Sequence, residues 1–397
     1  QTFTASGTAE LAPMVAAAVN AGADVNYGQM PFIYTVPTGF SALQTNNLPE
    51  PTIKNGKDHF EAVAYTGSGS SGNTTTITGL NFQPDLIWFK KRDSGDDNHE
   101  LYDSVRGVEL ALASDSNAVE STQTAGLTAF NSDGWDMGFH GQINGASPRQ
   151  YIAYCWKAGG TAVTNDDGSI QSQVSANTTA GFSIVSYTGN LTAGATVGHG
   201  LNSAPEFIIV KNRDDTDNWQ VRHPDLSSND HSLNLNTNGV EEDFNCWNNT
   251  APTTSVFSLG EANGSNRSGD DFIAYCWHSV EGYSKFGSYT GIDNNDGPFI
   301  YLGFRPAFVL IKRLTNGGQN WILIDSSINP SNPADTYLIP NDDSIETTSS
   351  TRAIDLLANG FKVRGNSSET NGGSDYMYAA FAEHPFGGEN AAPATAR

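Results

Sequence analysis

Apolar residues fall in short runs that recur with similar flanks along the chain. The runs Leu86-Ile-Trp-Phe, Phe207-Ile-Ile-Val and Phe308-Val-Leu-Ile are apolar at every position, which predicts central strands covered on both faces. Phe182-Ser-Ile-Val-Ser-Tyr alternates more, as a half-wet strand does, and Asn131-Ser-Asp-Gly134 and Ala358-Asn-Gly360 are turn signals leading into further strands. Helix signals are few, and only the stretches from Gly107 to Asp115 and Thr351 to Ala358 suit short helices.

The runs belong to three repeats. Each opens on Tyr-Thr-Gly (FEAVAYTG, GFSIVSYTG, KFGSYTG) and continues through Pro84 to Lys90, Pro205 to Lys211 or Pro306 to Lys312. The first two close on Ala153-Tyr-Cys-Trp156 and Ala274-Tyr-Cys-Trp277, and Lys90 to Cys155 and Lys211 to Cys276 are each 65 residues apart. The third ends in Ala379-Ala-Phe-Ala-Glu383, aligned here with Phe381 at the cysteine position. The fold class expected is all-β: tandem antiparallel β-sandwiches, jelly-roll or lectin-like, with few short helices.

The boundaries follow from the repeats: sandwich 1 over 60–160, a linker with an accessory hairpin over 161–180, sandwich 2 over 181–283, and sandwich 3 with a C-terminal tail over 284–397. The short link Ser279–Tyr283 predicts close packing of the last two, leaving the first the freer unit. Residues 36–59 read as a proline-bearing connector, and 1–35 as the end of an incomplete upstream domain, so that the chain is expected to be a fragment or processed product.

The repeats also dispose of a tempting motif. Gly67-Ser-Gly69-Ser-Ser-Gly72 fits the dinucleotide fingerprint, which requires a helix to follow. Asn73-Thr-Thr-Thr-Ile-Thr-Gly79 suits a strand instead. The other repeats carry GNLTAGA and GIDNNDG at the same place, so this is a variable loop.

Composition narrows the class. The net charge of −23, with 20 Lys plus Arg, argues against nucleic acid as a partner. No apolar run approaches the ~20 residues that span a bilayer, so no membrane insertion is expected. Low charge density with abundant Gly, Ser, Thr and Asn is typical of extracellular and virion β-proteins.

Several strings carry a resemblance: Pro37-Thr-Gly-Phe-Ser-Ala-Leu43 with Asn47-Leu-Pro, the repeated Tyr-Thr-Gly with Pro-(x5)-Lys and a nearby Arg, the Ala-Tyr-Cys-Trp strand, Tyr283-Ser-Lys-Phe-Gly-Ser-Tyr-Thr-Gly291, and Ala380-Phe-Ala-Glu-His-Pro-Phe386. Together they resemble repeat modules of tailed-phage virion proteins, common in marine phages, over roughly residues 36–397. Residues 11–32 resemble the last strands of the SPRY-type domain that such modules follow. The resemblance implies a tail-fibre, tailspike or capsid-fibre protein on the virion surface or otherwise extracellular. Its expected partners are other virion proteins, copies of itself (a homo-oligomer, a trimer by analogy with fibres) and a host surface glycan or protein. It carries over no catalytic residue; the alternatives to an attachment fibre are a capsid decoration or filament-forming structural protein, and a secreted carbohydrate-binding protein or glycan depolymerase.

Cys155 and Cys276 read as small buried hydrophobes in separate sandwiches, too far apart for a disulfide, and Cys246 as a loop thiol. Pro84, Pro205, Pro306 and Lys90, Lys211, Lys312, with Arg92, Arg213 and Arg313 behind them, read as structural signatures, the lysines paired with nearby carboxylates; an anionic sugar is the alternative ligand. Trp156 and Trp277 read as core, whereas Trp135 and His140 in the Asn131–His140 stretch, and Trp247, are the candidates for exposed contact. Acidic loops, best at Asp293–Asp296, raise calcium against a default of solvated turns. H-E-x-x-H, G-x-S-x-G and P-loop motifs are absent from the sequence, and no cofactor and no enzyme activity are expected.

Overall fold

The computed structural model describes residues 50–387 apart from Asp96 and Ser147. The expected SPRY-like segment, residues 1–35, and most of the 36–59 connector lie outside the described residues.

Repeat 1 runs β1 (Phe60–Thr66), β2 (Thr75–Thr78), β3 (Leu86–Lys91), β4 (Glu100–Asp103), β5 (Leu110–Ala113), β6 (Ser121–Thr122), β7 (Leu127–Asn131), β8 (Gly134–Met137), α1 (Gly141–Asn144) and β9 (Gln150–Trp156). Repeat 2 runs β10 (Val163–Asn165), β11 (Ser172–Asn177), β12 (Phe182–Thr188), β13 (Ala195–Gly198), β14 (Phe207–Asn212), β15 (Gln220–Arg222), β16 (His231–Asn234), β17 (Glu242–Asp243), β18 (Val256–Leu259), α2 (Asn263–Asn266) and β19 (Asp271–Trp277). Repeat 3 runs β20 (Ser284–Thr290), β21 (Phe299–Tyr301), β22 (Phe304–Arg313), β23 (Ile322–Asp325), β24 (Thr336–Tyr337), β25 (Thr347–Thr348), β26 (Ile354–Leu357), β27 (Gly360–Val363) and β28 (Asp375–Pro385).

Each repeat is a sandwich of a large and a small antiparallel sheet. The large sheets share one strand order: β1-β9-β3-β4, β12-β19-β14-β15 and β20-β28-β22-β23. The small ones are β2-β8-β7, β13-β18 and β21-β27-β26. The accessory hairpin exists, as β10 and β11, and extends the large sheet of repeat 2. The two helix expectations fail: residues 110–113 and 354–357 are strands, preceded in the second case by a 3-10 turn at 350–352. In both, a paired sheet partner outweighs weak helix propensity.

The fully apolar strands are covered twice. Alternate residues Ile87 and Phe89 face the small sheet of their own sandwich, while Leu86 and Trp88 face away from it into a second core. That second core is common to all three repeats and also holds Phe207, Ile209, Phe308 and Leu310. At its centre, Trp156, Trp277 and Phe381 meet edge to face, with ring centroids 6.1 Å (Trp156–Trp277), 5.5 Å (Trp156–Phe381) and 6.3 Å (Trp277–Phe381) apart.

Two expectations are corrected here. Register pairs Phe60 with Trp156, Phe182 with Trp277 and Ser284 with Phe381, so Phe381 is the counterpart of the tryptophans and Ala380 that of the cysteines. Side-chain period two makes a one-residue slip consequential: Phe381 faces the axis, whereas Cys155 and Cys276 face the interiors of their sandwiches. Nor is repeat 1 the freer unit of a string, because Trp156 packs on Phe308 and Phe381 of repeat 3.

The repeats close into a pseudo-threefold ring through three equivalent seams. Glu120 N donates to Arg213 O (2.9 Å), Glu241 N to Leu314 O (3.1 Å) and Glu346 N to Arg92 O (3.0 Å), each acceptor standing two residues after its repeat lysine. Deeper in, Tyr275 Oη donates to Asp103 (2.8 Å) and Tyr154 Oη to Asp325 (2.9 Å). At the third seam His223 takes the place of the aspartates, and burial pulls its imidazole down to about 3. Ion pairs Arg213–Glu120 (2.8 Å) and Arg92–Glu346 (2.7 Å) reinforce two seams; in the third, Glu241 turns instead to His231 (3.1 Å).

Candidate functional site

The strands give the ring two unlike ends. Residues 50–59 enter, and β28 leaves, at the end where the axial aromatics lie: Gly282, at φ +78°, is flanked by Pro51 and Pro385, and a Cβ there would sit 3.2 and 3.3 Å from their side chains. The opposite end collects the loops after Thr66, Thr188 and Thr290, those after the repeat lysines, and the α1, α2 and 365–374 turns.

One device holds this loop end in all three repeats. The tyrosine of Tyr-Thr-Gly stacks on an aromatic of the last strand (Tyr65 on Tyr151, Tyr187 on Phe272, Tyr289 on Tyr376) at 5.3, 5.2 and 5.2 Å. Its hydroxyl donates to a turn carbonyl, Ile143 O (2.6 Å), Ser265 O (2.7 Å) or Thr370 O (2.6 Å). The following glycine is forced by close approach, since a Cβ on Gly189 would lie 2.3 Å from Arg267 O and one on Gly291 2.3 Å from Gly372 O.

A buried asparagine completes the clamp. Asn144, Asn266 and Asn371 accept from the backbone N–H of Ser68 (3.1 Å), Asn190 (2.9 Å) and Ile292 (3.0 Å), and their amides donate to Gly138 O (2.8 Å), Gly260 O (2.7 Å) and Gly365 O (2.8 Å). Leu191 and Asp293 then adopt the same left-handed conformation, φ +53° and +51°. These asparagines escaped the sequence reading because they precede Trp156, Trp277 and Phe381 by 12, 11 and 10 residues. An ungapped comparison cannot align them.

The repeat lysines are buried beneath this end, and their ammonium groups bind main-chain carbonyls rather than the carboxylates expected. Lys90 Nζ donates to Asp97 O and, across the seam, to Asp343 O (both 2.6 Å); Lys312 reaches across to Asn238 O (3.0 Å) and to Gln319 O; Lys211 holds Asp215 O (3.2 Å). Burial lowers all three, Lys211 to about 8 and Lys312 to about 7. They close loops and seams and are sealed from an incoming sugar. Pro84, Pro205 and Pro306 are buried too.

The exposed-contact candidates are corrected. Trp135 and Trp247 are fully buried, Trp247 donating its indole N–H to Ser232 Oγ (2.6 Å), because each fills the interior of its own sandwich. His140 is partly accessible but held by Glu100 (2.9 Å); burial works against its charged form, and the hydrogen bond and charge of Glu100, together with Gln142 and Asp97, raise it on balance. Cys246 lies, as expected, in a loop, between β17 and β18, and is a free thiol; it is buried there, and burial pushes it up to about 12. Among the apolar side chains that reach solvent at this end are Phe139, Leu191 and Ile292, one from each repeat. In the Asp293–Asp296 loop, Asp296 pairs with Lys362 (2.9 Å) and Arg364 (3.6 Å), and no cluster of three or more metal-ligating side chains occurs among the described residues.

The loop end is thus a platform: one repeated clamp below, three different polar loops above. It presents hydroxyls, amides and carboxylates around isolated apolar side chains. Among known families, the model for a domain of unknown function (DUF7483) matches residues 55–385. No curated protein and no solved structure matches the chain.

Proposed function

The chain belongs to that family, whose matched unit takes in all three repeats, and on that premise we propose that the ring is a non-enzymatic attachment module of a tailed-phage virion. It is a tail-fibre or other fibre-like appendage that carries its loop end toward the host surface. What supports the reading is the polarity of the ring: the polypeptide enters and leaves at the aromatic end, and three sequence-divergent loop sets stand on identical clamps at the other. An arrangement of this kind keeps the scaffold constant while the contacting residues vary.

Attachment then works by summation. Three unlike loop sets per ring, and several rings per particle, give tight adhesion to a surface glycan from contacts that are each weak. The repeat resemblance to virion modules supplies the setting.

Immunogold electron microscopy of the source particles, with antibody raised against the whole ring, tests the proposal. Label on tails or fibres is the expected outcome. Label spread over the heads would make the protein a capsid decoration, and label only on cell surfaces or free material would replace the virion reading with a secreted carbohydrate-binding protein.

A further inference from the structure

The three junctions between repeats are built alike and differ at one side chain. Asp85, Glu206 and Ala307 are equivalent, each standing one residue before the strand position paired with Trp156, Trp277 or Phe381. The Asp85 carboxylate accepts from Ser104 Oγ (2.9 Å) and from Ala158 N (2.8 Å), and Glu206 accepts from the N–H (2.7 Å) and the hydroxyl of Ser279. Repeat 3 brings no carboxylate to this place, since its residue is alanine. It keeps the hydroxyl: Ser326 N donates to Ala307 O (2.8 Å) as Ser104 N does to Asp85 O (2.8 Å), which makes Ser326 the counterpart of Ser104.

A cavity of about 150 Å³ lies here, with Phe60, Ala62, Ala307 and Ala382 as its apolar walls. A space of this size takes a molecule of about six non-hydrogen atoms. Ser326 lines it, is only 6% exposed, and its hydroxyl meets no partner among the described residues. A buried hydroxyl left in this state forfeits a hydrogen bond that its counterpart in repeat 1 makes. Lys57 also lines the cavity, and its ammonium spends one donor on Glu61 (3.0 Å) and keeps others for a ligand. The carboxylates beside the cavity are already matched, Glu61 by Lys57 and Glu383 by Arg305 (3.2 Å), so no unbalanced negative charge opposes an incoming anion.

We propose that this cavity binds a short aliphatic carboxylate of the size of butyrate, which supplies from solution the group that Asp85 and Glu206 supply from the chain. Its carboxylate receives the Ser326 hydroxyl and the Lys57 ammonium, and its stem lies against Phe60, Ala62 and Ala382. Such a ligand touches two repeats at once, at the junction where Ser327 Oγ donates to Ala62 O (2.7 Å). Repeats 1 and 2, and repeats 2 and 3, are joined by continuous chain, whereas repeat 3 meets repeat 1 by contacts between distant residues. Binding there tightens the closure of the ring.

Saturation-transfer NMR on the full chain tests this, with butyrate as the probe and butanamide as its neutral isostere. Transfer to butyrate and none to butanamide is the expected result. Ser326→Ala is expected to weaken butyrate binding about tenfold, as the loss of a hydrogen bond to a charged group does. Ala307→Asp, which restores the arrangement of repeat 1, is expected to abolish it. Butyrate is also expected to raise the thermal unfolding midpoint of the wild type and to leave that of Ala307→Asp unmoved. Near-ultraviolet circular dichroism certifies that both variants are folded, and Ser326→Ala decides the matter if Ala307→Asp is not. Absence of transfer to butyrate, equal transfer to butanamide, or butyrate binding unchanged by the substitutions, which would mark an adventitious contact elsewhere, would each overturn the proposal.

Discussion

At the scale of single residues, the repeated lysines show how burial turns a charge into a seam. Each gives up hydration for carbonyl partners, and charge-assisted bonds of this kind contribute about 1.5–3 kcal/mol apiece. Their lowered affinity for protons has a signed consequence. With Lys312 at about 7 and Lys211 at about 8 in the fold, against an ordinary value of ~10.4, the unfolded chain binds more protons above pH ~7, so stability rises with pH there. Above pH ~8.5 the buried thiols reverse the trend: Cys246, at about 12, keeps a proton that the unfolded chain releases. Urea unfolding should therefore show a midpoint that climbs from about pH 6.5 to about pH 8.5, and a shallower climb in Lys312→Met. A flat wild-type profile would contradict the assignment.

At the scale of elements, the clamp separates what a loop must keep from what it can change. Asn266 receives the Asn190 amide as Asn371 receives that of Ile292, and Leu191 and Asp293 share one backbone conformation. Replacing residues 190–193 by the sequence of residues 292–295 is therefore expected to change unfolding free energy by less than about 1 kcal/mol, partly because Asp tolerates the left-handed conformation better than Leu. Asn266→Ala, which orphans the amides and carbonyl it joins, should cost about 1–3 kcal/mol. Chemical denaturation of the two variants compares them directly, and equal losses would mean that the loops, not the clamp, hold this end together. The strands themselves were legible in the sequence, because an apolar run covered on both faces admits few other readings. The clamp was not: its asparagines drift by one residue per repeat against the axial aromatics, and their partners are main-chain groups that no side-chain pattern encodes.

At the scale of the molecule, a core common to three repeats makes them one cooperative unit. Tryptophan fluorescence and circular dichroism should report a single coincident unfolding transition, and Trp277→Ala, expected to cost about 3–5 kcal/mol, should shift the whole of it. Two resolved transitions would restore the picture of independent beads. Sequence by itself determined the all-β class, the three repeats and the variable character of the Gly67–Gly72 loop, since these follow from local periodicity and self-similarity. It also marked the lysines and tryptophans as repeated without saying what they face. Only the tertiary structure decided that the repeats close into a ring, that Phe381 stands with Trp156 and Trp277, and that Trp135 and Trp247 are interior. The physical reason is that a strand buried on both faces records that it is covered, but not by what. Whether the second cover is another sheet of the same sandwich or two neighbouring repeats depends on contacts between residues a hundred or more positions apart.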